Sequence, residues 1–361
     1  DKPSDYFNTV LYTGNGGTQS ITGLDFQPDF TWIKSRTTGG SGNNNHCVND
    51  VVRAKGSYGY PMIHPNLNAT EYDPDSGNEV VTDFNSNGFS LGGNENSNYN
   101  SATYASWNLK ANGAGVANTD GSINSTVSAN TTSGFSIVSW SGNSTAGATI
   151  GHGLGVAPKM IIVKDRDGAD SWVVYHNSLA ITEYLILNST SAALTDNEVI
   201  FYDTDPTSSV FTVGAHNTVN QSGHNYIAYC FAEKQGYSKF GSYTGNGSAS
   251  SGTFVYTGFK PAWVMVKNTV NNARNWTIID NKRNPFNPED EWLYANASDS
   301  TFDASSFPTD FVSNGFKIRN TGSYFNTSGE NYIYMAFAEN PFVTSTGVCA
   351  TARWLCSYLL T

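Results

Sequence analysis

Residues 239–267 read KFGSYTGNGSASSGTFVYTGFKPAWVMVK. Two apolar, aromatic runs flank a turn rich in Gly and Ser, and nothing in the stretch announces catalysis. Its weight comes from recurrence. YTGNG begins at Tyr243 and again at Tyr12, and WSGN begins at Trp140. Downstream of them lie TGFKPAWVMVK (Thr257–Lys267), TGLDFQPDFTWIK (Thr22–Lys34) and GHGLGVAPKMIIVK (Gly151–Lys164). The shared order is an aromatic turn, a short run, Gly, Pro and an apolar run ending on Lys34, Lys164 or Lys267. The closing runs match as well: NYIAYCFAE (Asn225–Glu233), NYIYMAFAE (Asn331–Glu339) and the looser TYASWNLK (Thr103–Lys110). A fixed period of this kind marks a repeated structural unit.

In the third unit TFVYTG, AWVMVKN, NWTIID, EWLYAN, GFKIRN and NYIYMAFAE are β-branched and aromatic runs divided by Gly, Asn, Pro or Asp, which is strand punctuation. In the last of them Ile333, Met335 and Phe337 alternate with Tyr332, Tyr334 and Ala336, giving the strand two faces. Six or seven short strands per hundred residues predict an all-β chain of three tandem antiparallel β-sandwich units, jelly-roll-like and lectin-like, in one elongated chain. The units are residues 1–110, 134–235 and 236–342. Residues 111–133 read as a linker with a short strand expected near Ile123–Val127, and residues 343–361 as a C-terminal tail. Tyr12/Trp140/Tyr243 and Phe89/Phe211/Phe316 occupy matched places and are predicted to fill the sandwich cores.

Composition narrows the function classes. The chain has 361 residues, of which 14% are charged and 13% aromatic, with a net charge of −11. No Lys/Arg cluster exists to meet phosphates, so nucleic acid and anionic membrane surfaces are poor partners. No apolar run approaches the ~20 residues of a bilayer span, so membrane insertion is not expected. Cys47, Cys230, Cys349 and Cys356 form neither a dense disulfide framework nor a C-x-x-C pair, and a Cys349–Cys356 bridge stays open. The opening Asp1 in place of Met marks a processed chain or a piece of a longer one.

FGSYTGNG, FVYTGFKPAWVMVK, NWTIIDNKRN, NGFKIRN and NYIYMAFAENPF together resemble an uncharacterised β-rich repeat family in virion proteins of marine tailed bacteriophages, of tail-fibre, tail-associated or structural type. DKPSDYFNTVLYTG and ENPFVTSTG carry the resemblance to both ends, while VCATARWLCSYLLT departs from the polar finish of that family. The resemblance implies a non-enzymatic virion protein, in the tail or on the surface and extracellular once released. Its expected partners are other virion proteins and a host-surface carbohydrate, and a homo-oligomer, first of all a trimer, is its expected assembly. A capsid decoration protein and a glycan depolymerase are the alternatives.

The candidate sites follow from chemistry. A glycosidase needs two carboxylates flanking the bond, but most of the 30 Asp and Glu sit in loops such as EYDPDSGNE and NPEDEW. No G-x-S-x-G elbow occurs. DRDGAD places Asp165, Asp167 and Asp170 in a faintly calcium-like loop that lacks the distal Glu, so no cofactor beyond a weak calcium site is expected. TGNGG and GHGLG are not followed by GK[ST] and are not phosphate loops. Sequons at Asn68, Asn143, Asn188, Asn246 and Asn296 carry no weight in so Asn-rich a chain. A Lys on an apolar strand face wants a carboxylate, which predicts cross-strand ion pairs Lys34–Asp50 and Lys267–Asp280, with Lys164 partnered elsewhere. Specificity is expected in the Asn-rich loop before each final strand. There Tyr99, His216, His224, Tyr324 and Phe325 are candidate glycan contacts, aromatic faces meeting sugar C–H groups while amides pair with hydroxyls.

Overall fold

The structure, a computed structural model, describes residues 2–37 and 44–339. The tail with Cys349 and Cys356 lies outside the described residues. Unit 1 runs β1 (Phe7–Thr13), β2 (Gln19–Thr22), β3 (Phe30–Ser35), β4 (Cys47–Asp50), β5 (Val81–Asn85), β6 (Gly88–Leu91), the single turn α1 (Glu95–Asn98) and β7 (Thr103–Leu109). Next come β8 (Val116–Asn118) and β9 (Ser125–Asn130). Unit 2 continues with β10 (Phe135–Ser141), β11 (Ala148–Gly151), β12 (Met160–Asp165), β13 (Val173–His176), β14 (Leu185–Ile186), β15 (Val210–Val213), α2 (Asn217–Asn220) and β16 (Asn225–Phe231). Unit 3 has β17 (Ser238–Thr244), β18 (Phe254–Tyr256), β19 (Pro261–Asn268), β20 (Thr277–Asp280), β21 (Glu291–Tyr294), β22 (Phe302–Asp303), β23 (Thr309–Val312), β24 (Gly315–Ile318) and β25 (Asn331–Ala338).

All three units share one topology. First, last, third and fourth strands form the main sheet: β1-β7-β3-β4, β10-β16-β12-β13 and β17-β25-β19-β20. A smaller sheet, β2-β6-β5, β11-β15 or β18-β24-β23, covers one face of it. Every ladder is antiparallel, as the alternating patterns require. The predicted core pairs meet at right angles inside each sandwich. Tyr12 lies edge-on to Phe89 at 6.3 Å, Trp140 to Phe211 at 5.6 Å and Tyr243 to Phe316 at 6.1 Å.

The glycine of the recurring YTGN turn has a steric cause. A Cβ added at Gly14, Gly142 or Gly245 would lie 2.3 Å from the carbonyl oxygen of Tyr99, Gln221 or Thr327 respectively. The next residue anchors the same place: the N–H of Asn15, Asn143 and Asn246 donates to the buried side-chain oxygen of Asn98, Asn220 and Asn326, at 2.9 Å each time. Gly245→Ala should therefore destabilise the chain by about 1–3 kcal/mol, an overpacking cost, read as a lower midpoint in guanidinium chloride. An unchanged midpoint would show that the turn relaxes freely.

The spacer does not hang between units as a linker. β8 and β9 extend the main sheet of unit 2 beyond β10, and Ile123 bridges Ile150 on β11. Nor do the units form an elongated string. Residues from all three main sheets build one central core on the faces turned away from the small sheets. Phe7 stacks on Phe337 at 4.5 Å, Phe30 lies against Tyr229 at 4.8 Å, and Phe231 faces Phe337 at 6.4 Å. Full burial of each such ring contributes about 1.5–3 kcal/mol, so the units hold one another folded. A wholly apolar cavity of about 30 Å³ remains at the centre.

Three seams close this body into a ring, and each repeats the same contacts. β4 pairs with Ile63, β13 with Leu185 and β20 with Leu293 at matched positions. The hairpins that follow bridge Met62 to Tyr72, Tyr184 to Leu194 and Trp292 to Phe302, with equal lengths. In each seam a hairpin N–H reaches the neighbouring unit: Glu71 to the Arg166 carbonyl (2.8 Å), Ala193 to Thr269 (2.9 Å) and Thr301 to Arg36 (2.9 Å). A ring N–H reaches back. Trp172 Nε1 donates to the His64 carbonyl at 2.9 Å, Trp276 Nε1 to Ile186 at 3.0 Å, and His46 Nε2 bonds Tyr294 at 2.9 Å. His46 accepts from Trp32 Nε1 on its other nitrogen, which assigns the proton to Nε2. Asn66, Asn188 and Asn296 side-chain oxygens then take the backbone N–H of His46, Trp172 and Trp276, so two of the five sequons are seam braces. Threefold pseudosymmetry thus exists inside a single chain.

Candidate functional site

The expected Lys34–Asp50 and Lys267–Asp280 ion pairs do not form. The strand register opposes Asp50 to Phe30 and Asp280 to Trp263. Each lysine is therefore four residues, or about 13 Å, along the strand from the carboxylate. The lysines hold carbonyls instead. Lys34 Nζ donates to Ser35 (2.9 Å) and across a seam to Ser298 (3.2 Å). Lys267 Nζ donates to Arg274 (2.7 Å) and across a seam to Thr190 (3.1 Å). Lys164 Nζ stays within its own turn, on Gly168 (2.9 Å) and Asp170 (3.0 Å). With no carboxylate in contact, burial pulls Lys34 and Lys267 down to about 7 and Lys164 to about 8.

Asp50 and Asp280 are spent on the arginines three residues on. Arg53 Nε meets Asp50 at 2.7 Å and Arg283 Nε meets Asp280 at 2.6 Å, all four side chains fully buried. Each carboxylate also receives a donor from the next unit: Tyr229 Oη reaches Asp50 at 2.7 Å and Trp107 Nε1 reaches Asp280 at 3.2 Å. Unit 2 has His176 at this position, and the unit 3 residue at the register place of Tyr229 and Trp107 is Met335, which has no proton to give. His176 Nε2 accordingly bonds the Tyr334 carbonyl at 3.2 Å. These groups maintain the seams.

The calcium-like loop is a capped turn. Asp165 Oδ1 accepts the N–H groups of Asp167 and Gly168, and its Oδ2 meets His224 Nδ1 at 2.8 Å. Asp167 Oδ2 accepts from the backbone and side chain of Asn225. Among the described residues no group of three His, Cys, Asp or Glu is placed to hold a metal ion. The hydrogen bond to Asp165 raises the pKa of His224, and the same two positions in unit 3 carry Asn268 and Glu330, also bonded to each other.

The five candidate glycan residues fall at five different structural places. Tyr99 follows α1 and is 38% exposed, with its N–H held by Tyr104 Oη. His216 caps α2, its Nδ1 accepting the Thr218 N–H. His224 belongs to the turn just described. Phe325 is completely buried in unit 3, so its face is closed to any ligand. Tyr324 lines an open groove.

That groove, about 580 Å³, lies in unit 3 at its seam with unit 1, which contributes Asn44. Its wall is aromatic: Tyr294, Phe302, Phe307 and Tyr324 line it, with the fully buried Trp292 packed against them. Tyr324 stacks on Tyr294 at 5.7 Å and carries Arg274 5.8 Å from its ring centre. Phe302 is 46% exposed and presents the freest ring. Ser298 to Thr301, the rest of the lining, form the tip of the same hairpin as Trp292 and Phe302, which Lys34 and Arg36 of unit 1 clamp through its backbone. Two buried polar atoms of the lining residues, Trp292 Nε1 and Thr301 Oγ1, have no partner among the described residues. Trp292, Tyr294, Phe302 and Phe307 are not among the residues the sequence singles out, although the run EWLYAN places two aromatic rings on one strand.

The chain belongs to the family described as Domain of unknown function (DUF7483), which matches residues 2–341 and so takes in all three units. Among curated proteins none matches it.

Proposed function

We propose that this chain is a non-enzymatic virion protein of a marine tailed phage, a tail-fibre or other adsorption component that contacts an uncharged host-surface glycan through the unit 3 groove. The observation that carries the glycan contact is one open groove lined by several aromatic rings together with serine hydroxyls and the Asn44 amide. Aromatic rings cover sugar C–H faces while Ser298, Ser300 and Asn44 offer hydrogen bonds. A volume of 580 Å³ suits one or two sugar residues. Asp299 is the one carboxylate of the groove lining, whereas glycosidic cleavage needs two across the bond. The net charge of −11 opposes polyanionic glycans. The virion setting rests on the resemblance of the repeats, and homo-oligomerisation would then join several such three-unit rings, three as the first expectation.

Glycan-array binding tests the reading. Phe302→Ala should weaken binding roughly tenfold, about 1.4 kcal/mol, with little change in melting temperature because the ring is half exposed. Equal binding by the variant, or release of reducing ends from host polysaccharide, would count against it. Labelling of an intact virion on the shell instead of the tail would favour a decoration protein.

A further inference from the structure

The seam contacts fix which residues of the three units are equivalent. The bridges Met62–Tyr72 and Trp292–Phe302 set His64, Thr70, Glu71 and Tyr72 at the places of Tyr294, Ser300, Thr301 and Phe302. The buried Asn98 and Asn326, which hold the same turn, set Asn96 at the place of Tyr324. Those five unit 1 residues line a groove of about 470 Å³. The same position is therefore open twice in one chain, with different walls.

Unit 1 keeps one ring at these places, Tyr72, and otherwise carries groups that bond hydroxyls, His64, Thr70 and Asn96. Its floor is preorganised: Asn94 Nδ2 donates to Asn78 Oδ1 at 2.8 Å, and Tyr72 Oη accepts from Asn78 Nδ2 at 2.8 Å and donates to Asp75 at 3.0 Å. The hairpin is pinned through Glu71, which meets Arg166 at 2.7 Å and Arg53 at 3.1 Å. Trp172 of unit 2 holds the His64 and Leu67 carbonyls from behind. A rigid wall of amides, an imidazole and a phenol, with Glu95 at its edge, suits an uncharged polyol and repels an anionic one.

We propose that unit 1 carries a second carbohydrate groove, so that one chain grips an uncharged glycan at two pseudosymmetric places, one by ring faces and one by hydrogen bonds. This rests on the reading of the unit 3 groove. Two grooves on one rigid body raise avidity for a long polysaccharide without new contacts.

The test is calorimetric titration of the whole chain with linear hexasaccharides of glucose, mannose, galactose and N-acetylglucosamine. The hexasaccharide that binds should saturate at two per chain. Phe302→Ala should leave one site, and Thr70→Trp, which fills the unit 1 groove from an exposed position, should leave the other. A single site abolished by Phe302→Ala and untouched by Thr70→Trp overturns the second groove while the unit 3 reading stands. A single site lost only in Thr70→Trp overturns the pair and the unit 3 reading, and no binding of any hexasaccharide overturns both proposals.

Discussion

Asp50→Ala should lower the unfolding free energy by about 3–5 kcal/mol, the cost of leaving a buried charge without its partner. Asp50 and Arg53 are both fully buried, and the carboxylate takes four donors: Arg53 Nε, Tyr229 Oη and the backbone N–H groups of Val52 and Arg53. Removing it strands Arg53, whose remaining partners are the Val48 carbonyl and Glu71. Replacing the pair together, Asp50→Leu with Arg53→Met, should recover part of the loss, because the orphaned cation goes too. A double variant no more stable than Asp50→Ala would assign the cost to the backbone caps. Asp280→Ala should behave alike at the unit 3–unit 1 seam, where Trp107 loses its acceptor.

The same variants report on cooperativity. The central core draws on all three units, and each seam ties a hairpin of one unit to the backbone of the next. Wild type and Asp50→Ala should each unfold in one calorimetric transition, shifted as a whole. A split transition in which only one component moves would mean that the units fold as beads.

The sequence makes the repeat readable because each unit must solve the same internal problem. An aromatic residue, Gly and Asn recur where the turn meets a carbonyl oxygen and a buried amide, so Tyr12, Trp140 and Tyr243 could be placed in their cores directly. The ring is harder to see. Residues that face the centre alternate with residues that face the small sheet, and both kinds are apolar. Strands such as MIIV and WVMV thus show continuous burial in place of a two-sided pattern. That continuity was itself the signal that a second layer covers the main sheets. The lysines misled because face was legible and register was not: Lys267 does share the central face with Trp263 and Met265, but the Arg274 carbonyl of its own turn and the Thr190 carbonyl of a hairpin distant in sequence replace the carboxylate. The groove escaped notice because its parts, the hairpin at 292–302 and Tyr324, come together only through folding.

Stability should rise with pH between about 8 and 9. Lys34 and Lys267, pulled down to about 7, and Lys164, pulled down to about 8, release their protons in the folded chain long before the unfolded chain does, near pH 10.4. Over that interval the unfolded state binds more protons, so raising the pH favours the native state, by up to about 1.4 kcal/mol per pH unit for each fully shifted lysine. Two opposing sets of groups bound the window. Glu289, raised to about 8 by burial and the nearby Asp280, keeps its proton in the folded chain above the ordinary carboxylate range, which favours the native state at low pH and offsets the lysines until about pH 8. The buried thiols of Cys47 and Cys230 and the phenols of Tyr12, Tyr229 and Tyr243 are raised by burial, so stability falls again once their unfolded counterparts ionise, above about pH 9. Melting temperature should therefore peak near pH 9. Lys267→Met should flatten the rise while lowering stability through the lost bonds to Thr190 and Arg274, and a melting temperature that falls steadily from pH 7.5 to 9 would show that these lysines stay charged inside the fold.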